Sequence, residues 1–149
     1  MTRLQIRMAR STDAGRTGAI LSGFIDKTPW MPRVHTRAQD VAFTADMIDR
    51  GWVTVVEEDD RIVGFSAHDG ALVHALYVDM ERRGQGFGGA LVKNLQDRED
   101  TLSLWTFQAN TPAQTFYAQH GFTEVERTDG SGNDEKLPDI RLNWERALK

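Results

Sequence analysis

Ala75-Leu76-Tyr77-Val78-Asp79-Met80-Glu81-Arg82-Arg83-Gly84-Gln85-Gly86-Phe87-Gly88-Gly89 is the stretch on which the fold turns. It opens with strand-forming residues and carries four glycines in its last six positions. Beyond the glycines the apolar period changes. Phe87, Leu91 and Leu95 fall at i, i+4 and i+8, which predicts a helix from the glycine cluster to about Asp97. Backbone without side chains lets several N–H groups converge on one anion, and a helix N-terminus adds its dipole. With Arg82 and Arg83 just ahead, the loop is a candidate phosphate site.

Two familiar phosphate loops fit poorly. A nucleoside-triphosphate loop follows its last glycine with Lys-Ser/Thr, whereas Ala90 follows Gly89 here. Gly84-x-Gly86-x-x-Gly89 matches the dinucleotide fingerprint formally. That fingerprint needs an acid about 20 residues on, and Thr106-Phe107-Gln108-Ala109 offers none.

Upstream, Trp52–Val56, Ile62–Ala67 and Leu72–Val78 read as successive strands. Glu57-Glu58-Asp59-Asp60 forms the first turn between them, and Asp69-Gly70 is a strong hairpin signal for the second. Nearer the N-terminus, Leu4, Ile6 and Met8 alternate with polar neighbours as in a half-buried strand. Ser11 or Thr12 caps a helix with Ala14, Ile20, Leu21 and Phe24 inward, stopped by Thr28-Pro29. Thr36 with Gln39 forms a capping box for a second helix with Phe43, Met47 and Ile48 inward, ended by Gly51. Downstream come a strand over Leu102–Phe107, a short helix capped by Thr111-Pro112 and closed by Gly121, and strands over Phe122–Glu126 and Ile140–Trp144. The order β-α-α-β-β-β-α-β-α-β-β predicts an α+β fold: a mixed, mostly antiparallel sheet of about seven strands flanked by four helices.

Composition narrows the functional classes. One domain is expected over residues 1–149, a length that buries a sizeable core. The chain has no cysteine, which excludes disulfides, thiolate metal sites and thiol nucleophiles, and no metal is expected. A net charge of −4 and the lack of a basic stripe interleaved with aromatics speak against nucleic acid as a partner. No apolar run approaches a membrane span and the first ten residues lack a signal-peptide core, so no membrane partner and a cytoplasmic location are expected.

Arg83-x-x-Gly86-x-Gly88, after Leu76-Tyr77-Val78, resembles the acetyl-coenzyme A (acetyl-CoA) loop of the GNAT superfamily, the GCN5-related N-acetyltransferases. A second element agrees in order and distance. Asn110, Ala113 and Phe116-Tyr117-Ala118-Gln119-His120-Gly121-Phe122 are similar to the family's N-x-x-A-x-x-x-Y-x-x-x-G-F pattern. The two together cover Leu72–Phe122. Met80 departs from the proline that many members carry before the arginine loop, and the stretch from Asn133 to Asp139 with Trp144 is similar to a subgroup of bacterial members.

The resemblance implies an N-acetyltransferase that moves acetyl from acetyl-CoA to a primary amine of a small molecule or protein. Transfer is expected by direct attack in a ternary complex. A non-catalytic acyl-CoA sensor is the alternative, and a homodimer is common in the family. It implies that backbone groups of Leu76 and Val78 hold the pantetheine arm, and a backbone N–H near Leu76 or Tyr77 is expected to stabilise the thioester oxygen. Arg83, Gly84, Gln85, Gly86, Phe87, Gly88 and Gly89 would wrap the diphosphate, with Phe87 turned to the helix core. Asn110 would bond pantetheine or an ordered water, beside Ala113. Tyr117 would protonate the departing thiolate.

The general base stays open at this level. His74 shares alternation with Leu76 and Val78 and is one candidate; His35, Asp134, Glu135 or a chain of waters are others. Trp30 and Met31, between the first two helices, and Glu135, before the last strand, are the expected acceptor-side residues. As residues alone, the first two could simply clamp a loop, and the last could be solvated.

Overall fold

In the computed structural model, which describes residues 3–147, seven strands form one sheet in the order β1-β2-β3-β4-β5-β7-β6. In chain order the elements are β1 (Leu4–Met8), α1 (Ala14–Lys27), α2 (Arg37–Asp49), β2 (Val53–Glu58), β3 (Arg61–Asp69), β4 (Leu72–Val78), α3 (Phe87–Arg98), β5 (Thr101–Phe107), α4 (Thr111–Gln119), β6 (Thr123–Thr128) and β7 (Asp139–Glu145). All neighbouring strands are antiparallel except β4 and β5.

Strand chemistry explains the centre. Val53, Val55 and Phe65 turn one way, against Ile20 and Leu21 of α1 and Met47 and Ile48 of α2. Val56 and Val63 turn the other way, onto Phe87 and Leu91 of α3. Strands β2 and β3 are thus covered on both faces. Each such side chain contributes about 1.5–3 kcal/mol when fully buried, so this part is the rigid frame of the molecule. A second core joins α3 and α4 to β5 and β7 through Val92, Leu95, Leu104, Tyr117 and Ile140. Among the described residues, no helix is long and apolar enough to cross a membrane.

Turn chemistry sets the register. Asp59 and Asp60 both adopt positive φ (49° and 68°) in the β2–β3 turn, the conformation of a tight hairpin. The β3–β4 loop is also two residues, but they are Gly70-Ala71, since Asp69 pairs with Leu72. The Thr36–Gln39 capping box forms as expected and Gly51, at φ 77°, follows the end of α2.

Four expectations need correction. Leu4 and Met8 are exposed because β1 is an edge strand. Its other face is the tethered one, with Arg7 bonding Asp13 at 2.8 Å and Glu57 at 3.3 Å. Helix α1 starts at Ala14, because the Asp13 carboxylate takes the Arg10 N–H (2.7 Å) and winds Ser11–Asp13 into a 3-10 turn. Phe43 is 48% exposed. Asp40 is the residue turned inward instead, held by Ser22 at 2.5 Å and Arg33 at 3.0 Å, and this fixes the rotation of α2. Finally, α4 is capped by Asn110, one residue before the expected Thr111: its Oδ1 accepts from the Ala113 N–H at 3.2 Å.

Candidate functional site

Strands β4 and β5 pair only at Leu72 with Ser103 and Val73 with Leu104, then part. Each is held by its other neighbour, β4 by β3 as far as Val78 and β5 by β7 as far as Phe107, so the gap is built into the sheet. It opens a cleft of about 700 Å³ reaching from the glycine loop to the end of β5 and the start of α4. The volume is within the range of small-molecule and cofactor sites.

The backbone on the β4 side of the gap is polar and unspent. The Asp79 N–H donates to the Val63 carbonyl across β3. Peptide groups alternate along a strand, so those of Tyr77 also turn to β3, whereas those of Leu76 and Val78 face the gap. Of the two N–H groups considered for the thioester oxygen, geometry therefore favours that of Leu76.

At one end of the cleft, Gly84 and Gly86 adopt φ 75° and 90°, a region that side chains disfavour. Gly88 is needed for a different reason: a Cβ there would stand 3.2 Å from the Phe116 ring. Helix α3 begins at Phe87, and its first backbone bond runs from Ala90 to Gly86. The N–H groups from Arg83 to Gly89 donate to no carbonyl among the described residues. Undonated N–H groups gathered at a helix N-terminus are the arrangement that can cradle an anion. The Arg83 guanidinium lies over the Phe24 ring at 5.7 Å, Gln85 lies outside the cleft lining, and Phe87 is buried in the α3 core as expected.

Tyr117, from α4, is buried against Phe116 and Phe122, yet it lines the cleft. No residue among those described takes up its hydroxyl. Burial pushes the pKa of its hydroxyl well above the usual phenol range, so the phenol is neutral and carries its proton at physiological pH. Tyr77 packs between Phe24 and Phe65, and its hydroxyl is pushed up to about 12 by burial first and then by the charges of Glu135 and Asp40. Asn110 and Ala113 line the cleft, and Asn110 keeps its amide nitrogen free of its capping bond.

These two are the chain's only tyrosines. A spectroscopic titration should therefore show almost no tyrosinate at pH 10, where a free phenol is half ionised. Because the unfolded chain ionises first, folding stability should decline as pH rises past 10. A full tyrosinate signal at pH 10 from folded protein would contradict this description.

His74 does not share a face with Leu76 and Val78. The β3–β4 register shifts between Ala67 and His68, so His74 is the extra residue of a bulge. Its ring stacks flat on Trp52 at 4.7 Å, at the rim of the cleft. Sequence alternation cannot reveal a bulge.

At the other end the aromatics converge. Trp30 packs edge-on against Phe24 (6.4 Å) and Phe107 (5.8 Å), and Phe24 meets Tyr77 at 5.2 Å. Met31 supports this loop from outside the cleft, its N–H bonded to Thr28. Glu135, half-buried in the β6–β7 loop, has no hydrogen-bond or ion-pair partner among the described residues. His35 and Asp134, at 3.3 Å, join the two loops. Phe24 and Phe107 escaped the sequence reading as site residues because each also looks like an ordinary core position.

A parallel strand pair that parts into a cleft, beside a glycine-capped helix and within a seven-stranded mixed sheet, defines an acyl-CoA transferase fold. The chain belongs to the GNAT family: the acetyltransferase (GNAT) domain matches residues 49–124. It is an acetyl-CoA-dependent acetyltransferase. It is 29% identical over 141 residues to the peptidyl-lysine N-acetyltransferase YjaB of Salmonella typhimurium, covering 93% of this chain and 97% of that one. To the peptidyl-lysine N-acetyltransferase YiaC of Escherichia coli it is 35% identical over 97 residues, 64% of this chain and 63% of that one. Among solved structures, yncA from Salmonella typhimurium with its cofactor acetyl-CoA superposes with a TM-score of 0.75 at 19% identity, over 98% of this chain and 95% of that one.

Proposed function

We propose that the protein transfers acetyl from acetyl-CoA to the ε-amine of a protein lysine, by direct attack in a ternary complex. One observation carries the reading. A single cleft runs from the glycine loop at one end to Phe24, Tyr77 and Phe107 at the other, where Trp30 packs on Phe24 and Phe107 from outside the lining and the charge of Glu135, also outside it, acts on the Tyr77 hydroxyl. The two peptidyl-lysine acetyltransferases named above support the choice of acceptor.

The chemistry follows from the placements. Diphosphate oxygens accept from the N–H groups of Arg83–Gly89, and pantetheine bonds the Leu76 and Val78 peptides as a substitute strand. The lysine enters past Trp30 and Phe107, its ammonium drawn to Glu135. It must lose a proton before it can attack. That proton leaves through water at the mouth, and His74 takes part through such a water rather than by direct contact. The neutral nitrogen bonds the thioester carbon, and the Leu76 N–H steadies the oxygen as it becomes negative. The carbon–sulfur bond breaks as Tyr117 gives its proton to sulfur, and the surplus proton on the nitrogen passes through cleft water back to the Tyr117 phenolate.

Two acceptors separate this reading from a small-molecule one. A lysine-bearing peptide should be acetylated, with the product lost when its lysine is replaced by arginine, and free lysine should be a poor substrate. Glu135→Gln should raise the KM for the peptide about fivefold, the scale of a partly exposed charge pair at 1 kcal/mol, and leave the KM for acetyl-CoA unchanged. Efficient turnover of free small amines with an inert peptide would overturn the assignment.

A further inference from the structure

His120 ends α4 beside the first turn of α3. Its backbone is fixed on both sides: its N–H donates to the Tyr117 carbonyl at 3.0 Å, and its carbonyl accepts from Gln96 Nε2 at 2.9 Å. The ring packs on Phe116 with centroids 4.7 Å apart. Its Nε2 and Cε1 stand 3.6 and 3.5 Å from the point where a Gly89 side chain would begin. The residue lines the same cleft as Gly84, Gly86 and Gly88. Neither ring nitrogen has a hydrogen-bond partner among the described residues.

An imidazole in any protonation state carries at least one N–H. Here that donor sits at the N-terminal turn of a helix whose own N–H groups are unspent and face the same space. Packing alone does not call for it, since an apolar side chain would fill the space between Phe116 and Gly89 equally well. We propose that His120 is a donor-binding residue that hydrogen-bonds a phosphate oxygen of acetyl-CoA from the α4 side of the cradle, opposite the glycine loop. The proposal rests on the diphosphate lying in that loop.

The test compares acetyl-CoA with acetyl-pantetheine, which has the same thioester and arm but no diphosphate or nucleotide. Wild-type protein should use acetyl-CoA far more efficiently. His120→Phe keeps a ring against Phe116 and should lower kcat/KM for acetyl-CoA about tenfold, through KM, as expected for one lost hydrogen bond to a charged group. It should leave acetyl-pantetheine turnover unchanged. His120→Gln, which keeps an N–H, should recover part of the loss. Should His120→Phe melt early, His120→Leu serves as the donor-free variant. Equal losses on both donors, or no loss on either, would overturn the role of His120. A wild-type protein indifferent to the diphosphate would overturn the cradle and His120 with it.

Discussion

Tyr117→Phe should reduce kcat for acetyl transfer about 100-fold, while the KM for acetyl-CoA stays within about threefold. A positioned acid is worth roughly 10²–10⁴ in rate, and the lower figure applies because water in an open cleft can protonate a thiolate slowly. The fold should not suffer. Phenylalanine keeps the contacts with Phe116 and Phe122, and the lost hydroxyl has no partner among the described residues. Removing an unbonded buried hydroxyl is close to neutral for stability. The melting temperature should therefore hold while activity falls. Full activity in the variant would remove Tyr117 from the mechanism and leave its ring as core.

Gly86→Val should abolish most donor binding for the opposite reason. Gly86 caps α3 at φ 90°, where a β-branched residue is strained by roughly 1–3 kcal/mol. The loop relieves the strain by turning, and the N–H groups at the helix start then no longer converge. Each charge-assisted bond to phosphate contributes about 1.5–3 kcal/mol, so losing even one weakens binding by more than tenfold. Calorimetric titration with CoA should show that loss. The peptide KM should be unaffected, because the acceptor mouth lies at the far end of the cleft. Unchanged CoA affinity would mean that the diphosphate lies elsewhere.

The parts of this site that could be read from sequence are those with a local signature. Glycines between a strand and a helix announce the cradle, and the hairpin signal at Asp69-Gly70 gives the sense of β4. The spacing from Asn110 to Phe122 places Tyr117 on the helix beside the cleft, where it is found. What stayed hidden depends on three-dimensional choices. His74 turns onto Trp52 because it is the extra residue of a β3–β4 bulge, which leaves no trace in the alternation of side chains. Phe43 fits a helical apolar stripe, but a buried polar pair, Ser22 with Asp40, rotates α2 away from it. The Asn110 cap competes with a Thr-Pro signal one residue later and wins through a bond to Ala113. His120 carries no motif; only the packing of α4 on α3 brings it to the cradle.

The central claim is that one cleft carries the acetyl group from thioester to lysine without an enzyme-bound intermediate, as a chain without cysteine suggests. A single-turnover experiment tests it most directly: enzyme in excess over acetyl-CoA, with and without a lysine peptide, followed by mass spectrometry of both protein and peptide. The predicted result is acetylated peptide and free CoA in equal amounts, with no acetylated enzyme at any time and no CoA release when the peptide is absent. Acetyl-CoA that binds and raises the melting temperature while the peptide stays unmodified would contradict it, and would make the protein a sensor of the donor.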